Sequence, residues 1–245
     1  ERKKMVIFHT LYGRRVNDAL SRSLAYAITR TQHKDVEIGI SDNGFYLSFE
    51  KEFDASKAFT LLKSDEFHGI LRNAIDKSEI LKRRFRHCAG RALMILREYM
   101  GHKKRVGRQQ VSSMILMAAV RSISDDFFIL KESRREVMDD LMDVENSIRV
   151  LKAIEEGKIK IKEVTTTIPS PFAFNLVLQG YSDILKMDDK SEFLKKMHRM
   201  VLARIGMKPD AKKEDFDYED FFEDKVKKYE AEKDPVKEKL KSQVW

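Results

Sequence analysis

Apolar positions along this chain switch period repeatedly, and each switch marks a change of element. Met5-Val6-Ile7-Phe8-His9-Thr10 is β-branched and aromatic and reads as a strand, ended by Gly13. From Arg14 to Arg30 the spacing becomes helical, with Val16, Leu20, Leu24 and Ala27 or Ile28 on one face. Val36–Ile40 and Phe45–Phe49 return to strands, joined by the polar turn Ser41-Asp42-Asn43-Gly44. The opening is therefore β-α-β-β.

A long section of helical periodicity follows, and no proline interrupts it before Pro169. The pattern predicts helices over Asp54–Leu62, from Ser64 or Asp65 to Ile75, and from a Ser78 cap to Met100. In the last of these, Leu81, Phe85, Cys88, Ala92 and Leu96 fall in one arc, opposite Arg83, Arg86, His87 and Arg97. Gly101 to Gly107 reads as a basic loop. Further helices are predicted near Arg108–Ser122, Leu130–Met142 and Val144–Glu156. Lys158 to Thr165 then alternates with period two, which predicts a strand that joins the N-terminal sheet. Pro169 keeps Ile168 extended, and Ser170 with Pro171 suits a helix start. Helices are expected from Phe172 to Lys186 and from Ser191 to Ile205.

The expected fold class is α+β and predominantly helical. A small β-sheet or barrel unit (residues 1–52 plus 157–168) holds a helical insertion over 53–156. C-terminal helices occupy 169–206, and a charged, partly helical tail covers 207–245. In that tail Phe216, Tyr218, Phe221 and Phe222 alternate with acids, which suits either a partner-binding tail or a stapling segment.

Charge changes the picture. The 245 residues carry 48 Lys or Arg against 40 Asp or Glu, a net charge of +8. That excess favours an anionic partner. The Lys and Glu content is compatible with a thermophile. One cysteine excludes an internal disulfide, so nothing points to an oxidising compartment and a cytoplasmic location is expected. No apolar run reaches the roughly 18 to 20 residues needed to span a bilayer. Glu1 is not an initiator methionine, so the chain is expected to be cut from a longer polypeptide.

Motifs for chemistry are missing. Asp65-Glu66-Phe67-His68 has the letters of a helicase acidic box, but Leu61-Leu62-Lys63-Ser64 before it is a helix end, not a buried strand. No G-x-x-x-x-G-K-[ST] accompanies it. One Cys and six scattered His give no zinc spacing. His87 and Cys88 are adjacent on a helix, so Cys88 belongs to the core and His87 to the surface. No nucleophile elbow occurs. The segment itself is therefore expected to have no catalytic or cofactor site.

The excess is concentrated instead. Between Lys82 and Arg108 lie ten Lys or Arg and a single acid, Glu98. A merely solvated helix face mixes its signs, as Lys225–Lys241 does; this one does not. One-signed charge on a helix and the adjoining loop suits a phosphate backbone. The candidate contacts are Arg83, Arg86, His87, Arg97, Lys103, Lys104, Arg105 and Arg108. Gln109 offers an amide at a helix start, and Arg14 and Arg15 sit at another helix N-terminus.

Three ordered motifs carry a family resemblance. They are His9-Thr10-Leu11-Tyr12-Gly13-Arg14-Arg15-Val16-Asn17, then Arg84-Phe85-Arg86-His87-Cys88-Ala89-Gly90-Arg91-Ala92-Leu93, then Ile168-Pro169-Ser170-Pro171-Phe172-Ala173. Together, over residues 5 to 190, they resemble the C-terminal DEAD/H-associated region of large helicase-related (Lhr-type) superfamily 2 helicases, in archaeal style. The resemblance implies a β-barrel with a helical module, placed after two RecA-like motor domains and a winged helix. It implies 3′-to-5′ translocation on single strands by that motor, using ATP and magnesium, and a C-terminal module that closes over the strand. The chain's own role would be to hold single-stranded DNA or RNA, with the RecA-like and winged-helix domains of the same polypeptide as partners. A protein-interaction module whose basic face meets acidic surfaces is the alternative. This sequence departs from the family pattern by lacking the motor. It also lacks the aromatic that bacterial members often carry near Gly107-Arg108-Gln109-Gln110.

Overall fold

The computed structural model describes residues 4–33, 35–49, 55–166, 169–180, 194–195, 197–199 and 201–202. Its β-α-β-β opening is the predicted one. Strand β1 spans Lys4–Phe8, helix α1 Arg14–Gln32, β2 Glu37–Ser41 and β3 Gly44–Phe49. The strands form an antiparallel sheet in the order β1-β3-β2. β3 is central and buried along its whole length, because both its neighbours and both its faces are covered. Phe8 stacks on Phe45 with ring centroids 4.7 Å apart, and Phe59 meets Phe8 edge-on at 5.6 Å. Tyr46 lies across Gly39, where an added Cβ would overlap its ring at 1.9 Å. The glycine therefore makes room for the tyrosine on its neighbouring strand.

One face of α1 packs on β2 and β3 while its flanks meet α2 (Phe67–Ile75) and α6 (Val144–Glu155). Leu20, Leu24 and Ile28 are fully buried there. Each such side chain contributes about 1.5–3 kcal/mol by leaving water. Asn17, also fully buried, ties the helix start to the strand turn. Its Nδ2 donates to the carbonyls of Ser41 and Asp42 at 2.9 and 3.1 Å, and its Oδ1 accepts from the Thr10 hydroxyl at 2.6 Å.

The helical section contains α2, α3 (Glu79–Arg91), α4 (Val106–Ile123), α5 (Phe128–Arg135) and α6. Ser78 caps α3 as predicted, its hydroxyl accepting from the Leu81 amide at 3.3 Å. The predicted continuation of that helix to Met100 is not found. Instead the Leu93 amide donates to the Gly90 carbonyl and the Met94 amide to the Ala89 carbonyl, at 3.3 and 3.0 Å. Leu93 adopts a left-handed φ of 57°. This is a Schellman stop with leucine in the place glycine normally takes. Ala92 and Leu96, expected in the buried seam, are exposed; Leu81, Phe85 and Cys88 are buried with Ala89.

After the stop the chain forms a small hairpin, β4 (Glu98–Tyr99) and β5 (His102–Lys103). Other expectations shift as well. Residues Ala55–Leu61 make a 3-10 helix, not an α-helix. The α2 helix begins at Phe67, and Ser64 is used elsewhere: its amide and hydroxyl both donate to the Glu155 carboxylate at 2.7 Å. Those bonds hold the Glu155 carboxyl below its ordinary range. The predicted Leu130–Met142 helix is α5 followed by a π-helical turn, Glu136–Leu141.

The strand expected near 158–165 is absent: the described residues there are irregular. The Ile159 amide donates to the Ala153 carbonyl, while Ile161 and Val164 stay exposed. An alternating pattern makes a strand only when a ladder and a buried face accept it. Among the described residues the sheet closes at three strands.

The chain divides into two compact units, Glu1–Lys162 and Glu163–Trp245. In the second, a 3-10 turn Pro171–Ala173 starts at Ser170 and leads into α7 (Phe174–Gly180). Ala173, Leu176 and Val177 are buried. The aromatic-acidic tail lies outside the described residues.

Replacing Asn17 with alanine strands two carbonyls and a hydroxyl, and should lower stability by about 2 kcal/mol in urea unfolding.

Candidate nucleic-acid interface

The ten cations between Lys82 and Arg108 fall into two groups. Glu136, on the π-helical turn, is only 4% exposed. A buried carboxylate must be paired or it destabilises the fold. Arg91 donates to its Oε1, and Arg84 approaches Oε2 at 3.6 Å. Arg91 is also 3.3 Å from the Cys88 sulfur. These two arginines stand seven residues apart, on one stripe of α3. They brace α3 against the π turn.

The remaining side chains point elsewhere. Lys82 pairs with Glu79 at 2.6 Å on the surface. Arg83, Arg86, Arg97, Lys103, Lys104, Arg105 and Arg108 make no ion pair among the described residues. On α3, Arg83, Arg86 and His87 occupy the arc opposite the buried seam. Arg97 folds back onto the same helix: a Cβ built on Gly90 would sit 3.4 Å from the Arg97 Nε. The missing side chain at Gly90 lets that guanidinium lie close to α3.

His87 registers the resulting field. Its pKa is lowered, first by desolvation and then by the positive charges of Arg86, Arg97, Arg84 and Arg91. Four guanidiniums near one imidazole make this a locally positive surface. The structure thus brings Arg97 to the α3 cluster by a chain reversal, where the sequence pattern placed it there on a continuous helix that is not found.

The hairpin carries the next cations. The Lys104 amide donates to the Arg97 carbonyl at 2.9 Å, one rung below the Glu98–Lys103 and Tyr99–His102 pairs. Arg105 precedes α4 and Arg108 lies in its first turn. Gln109 is committed internally, its Nε2 donating to the Lys104 carbonyl at 2.8 Å. It fixes the hairpin exit to α4. α3 and α4 pack together, so the two parts of the basic run are joined within one module.

Arg14 is exposed at the start of α1. Arg15 donates to the Asp139 and Met142 carbonyls at 2.6 and 3.0 Å, which gives it a bracing task at the end of the π turn. A cleft of about 330 Å³ is lined by Tyr12, Val16, Val150, Ala153 and Ile159 with the polar Asp143, Asn146 and Arg149.

Sequence reasoning missed the exposed apolar residues set among the cations. Leu93, Met94, Leu96 and Met100 are all exposed, and Met100 occupies the tip of the hairpin. The available signal was Met100-Gly101 between two short polar runs, a spacing that fits a two-residue hairpin turn.

The DEAD/H associated family model matches residues 1–173. The chain belongs to that family. It is 54% identical over 203 residues to the ATP-dependent helicase Lhr-Core of Methanothermobacter thermautotrophicus, covering 83% of this chain and 24% of the relative. It is 45% identical over 208 residues to ATP-dependent helicase Lhr-Core protein 2 of Thermococcus barophilus, covering 84% and 24%. The chain thus spans about a quarter of the length of these relatives. Its fold matches Mycobacterium smegmatis helicase Lhr bound to ssDNA and AMP-PNP with a TM-score of 0.65 and 29% identity. That match covers 71% of this chain and 22% of the neighbour.

The His87 imidazole should titrate below its ordinary 6.5 by proton NMR, and Arg86→Gln should move it upward. The linkage sign follows: the neutral ring is favoured in the folded state. Its stabilisation is complete above the unfolded value and declines as pH falls through the lowered folded value.

Proposed function

We propose that this chain is the single-strand-holding accessory module of an ATP-dependent superfamily 2 helicase that moves 3′ to 5′. The observation that carries the reading is the division of the arginines. Two neutralise Glu136, while the others in the run make no ion pair among the described residues. Cations left without a carboxylate partner around an exposed histidine favour a ligand with several spaced negative charges. A nucleic-acid backbone has that form. The neighbouring helicase structure, which holds ssDNA, supports a nucleic-acid partner.

In this reading Arg83, Arg86, Arg97, Lys103, Lys104, Arg105 and Arg108 contact phosphates, and His87 sits among them. Such contacts hold and orient the strand without reading its sequence. Arg14 is a further contact on α1. ATP and magnesium serve RecA-like motor domains of the longer polypeptide. This segment's residues do not fit that pair: the sequence has no phosphate-cradling glycine motif. No group of three His, Cys, Asp or Glu side chains is gathered for a metal among the described residues. No helix among those residues is long and apolar enough to cross a membrane.

One observation favours a second reading for a neighbouring face. Val111, Met114 and Ile115 share the outer side of α4 and are more than half exposed. An apolar stripe of that kind suits contact with another domain of the same polypeptide. DNA that fails to compete with such a domain would separate the two faces.

The test is binding of a labelled single strand across a salt series. Each phosphate contact adds about −0.7 to the slope of log affinity against log salt on single strands. Arg83→Ala with Lys104→Ala should therefore make the slope shallower by about 1.4. Affinity indifferent to salt, or unaltered by the pair, would sink the proposal.

A further inference from the structure

The hairpin between α3 and α4 places a large apolar side chain where the fold gives no reason for one. Met100 and Gly101 form the two-residue turn between Tyr99 and His102, with φ of 51° and 75°. Two successive positive φ values are the type I′ pattern, which favours Asn-Gly, Asp-Gly or Gly-Gly. Methionine is a poor choice for that backbone. It gains nothing by packing either, since Met100 is 79% exposed. Leu93 shows the same combination at the end of α3, with φ of 57° and 74% exposure. A side chain that neither suits its backbone nor buries itself points to a task outside the fold.

The surroundings specify the task. The two arms of the hairpin carry Arg97, Lys103 and Lys104, which make no ion pair among the described residues, with Arg105 and Arg108 just beyond. The rungs Arg97–Lys104, Glu98–Lys103 and Tyr99–His102 fix the tip relative to those cations. Gln109 bonds the Lys104 carbonyl and anchors the arm to α4. Cations that hold phosphates on both arms leave the bases of that strand free to meet the tip. Proteins that bend duplexes part base steps by inserting an apolar side chain, methionine among them, while cations hold the backbone. Methionine's unbranched, polarisable thioether suits the flat face of any base.

We infer that Met100 is an apolar wedge that enters between neighbouring bases of the bound single strand and parts their stack. This rests on the strand-holding reading above and adds a role for the hairpin tip. The occupant is the base stack of a single-stranded nucleic acid. A protein partner fits less well, because a single projecting side chain beside a run of cations offers it little apolar area.

The experiment uses the full chain and single strands carrying one 2-aminopurine at successive positions. Its emission rises when neighbouring bases separate. The wild type should raise emission at one position or two adjacent ones. Met100→Leu should keep that rise. Met100→Asn restores the favoured turn residue, so its melting temperature should not fall. It should lose the emission rise while keeping the salt slope. Salt-dependent binding with no rise at any position overturns the wedge alone. A rise that survives in folded Met100→Asn does the same, and would return the exposed tip to a protein contact. Wild-type binding that ignores salt overturns the strand-holding reading and the wedge with it.

Discussion

A buried carboxylate sets the orientation of the helix that matters most. Glu136 lies in the π turn that follows α5, and its charge must be neutralised where water does not reach. Arg84 and Arg91 supply that neutralisation from one stripe of α3. Once that stripe is committed and Leu81, Phe85 and Cys88 face the core, the rotation of α3 about its axis is determined. Arg83, Arg86 and His87 then have only the outward arc. The structural arginines and the proposed binding arginines are thus parts of one arrangement. The first pair aims the second group.

A second polar network holds the floor of the module. Arg134 is 6% exposed and donates to Asp76 at 2.7 Å and to the Asp125 side chain at 2.6 Å. It also reaches the Asp125 backbone carbonyl. Arg121 joins through the Asp76 carbonyl at 2.6 Å. These bonds tie the end of α2 to the α4–α5 turn. Arg134 holds the Asp125 carboxyl below its ordinary range, with Arg72 adding to the effect. Buried polar bonds of this kind favour one packing because they are lost when the helices shift. The helices behind the basic face are therefore positioned by polar bonds as well as by apolar contact.

Much of the fold was legible in the residue pattern. The three strands and α1 stand out because their periods differ and glycine or polar turns separate them. The Ser78 cap was legible because a hydroxyl before an apolar period has one strong local use. The end of α3 was not, since its stop uses Leu93 where the usual sign is glycine. The false strand at Lys158–Thr165 shows the opposite failure, a correct local period with no ladder to join. The cluster of charge could be read directly. Its division could not, because Arg84 and Arg83 look alike until Glu136, far along the chain, is brought beside one of them.

Gly90 shows where this surface leaves the sequence room to change. It lies inside α3, where alanine would ordinarily favour the helix by about 1 kcal/mol. A methyl group there would meet the Arg97 guanidinium at 3.4 Å, an ordinary van der Waals contact with the end of a flexible side chain. The arginine can rest on the added methyl without leaving α3. The helix's own preference therefore decides what drift at this position does, and the neighbour across the surface tolerates the outcome.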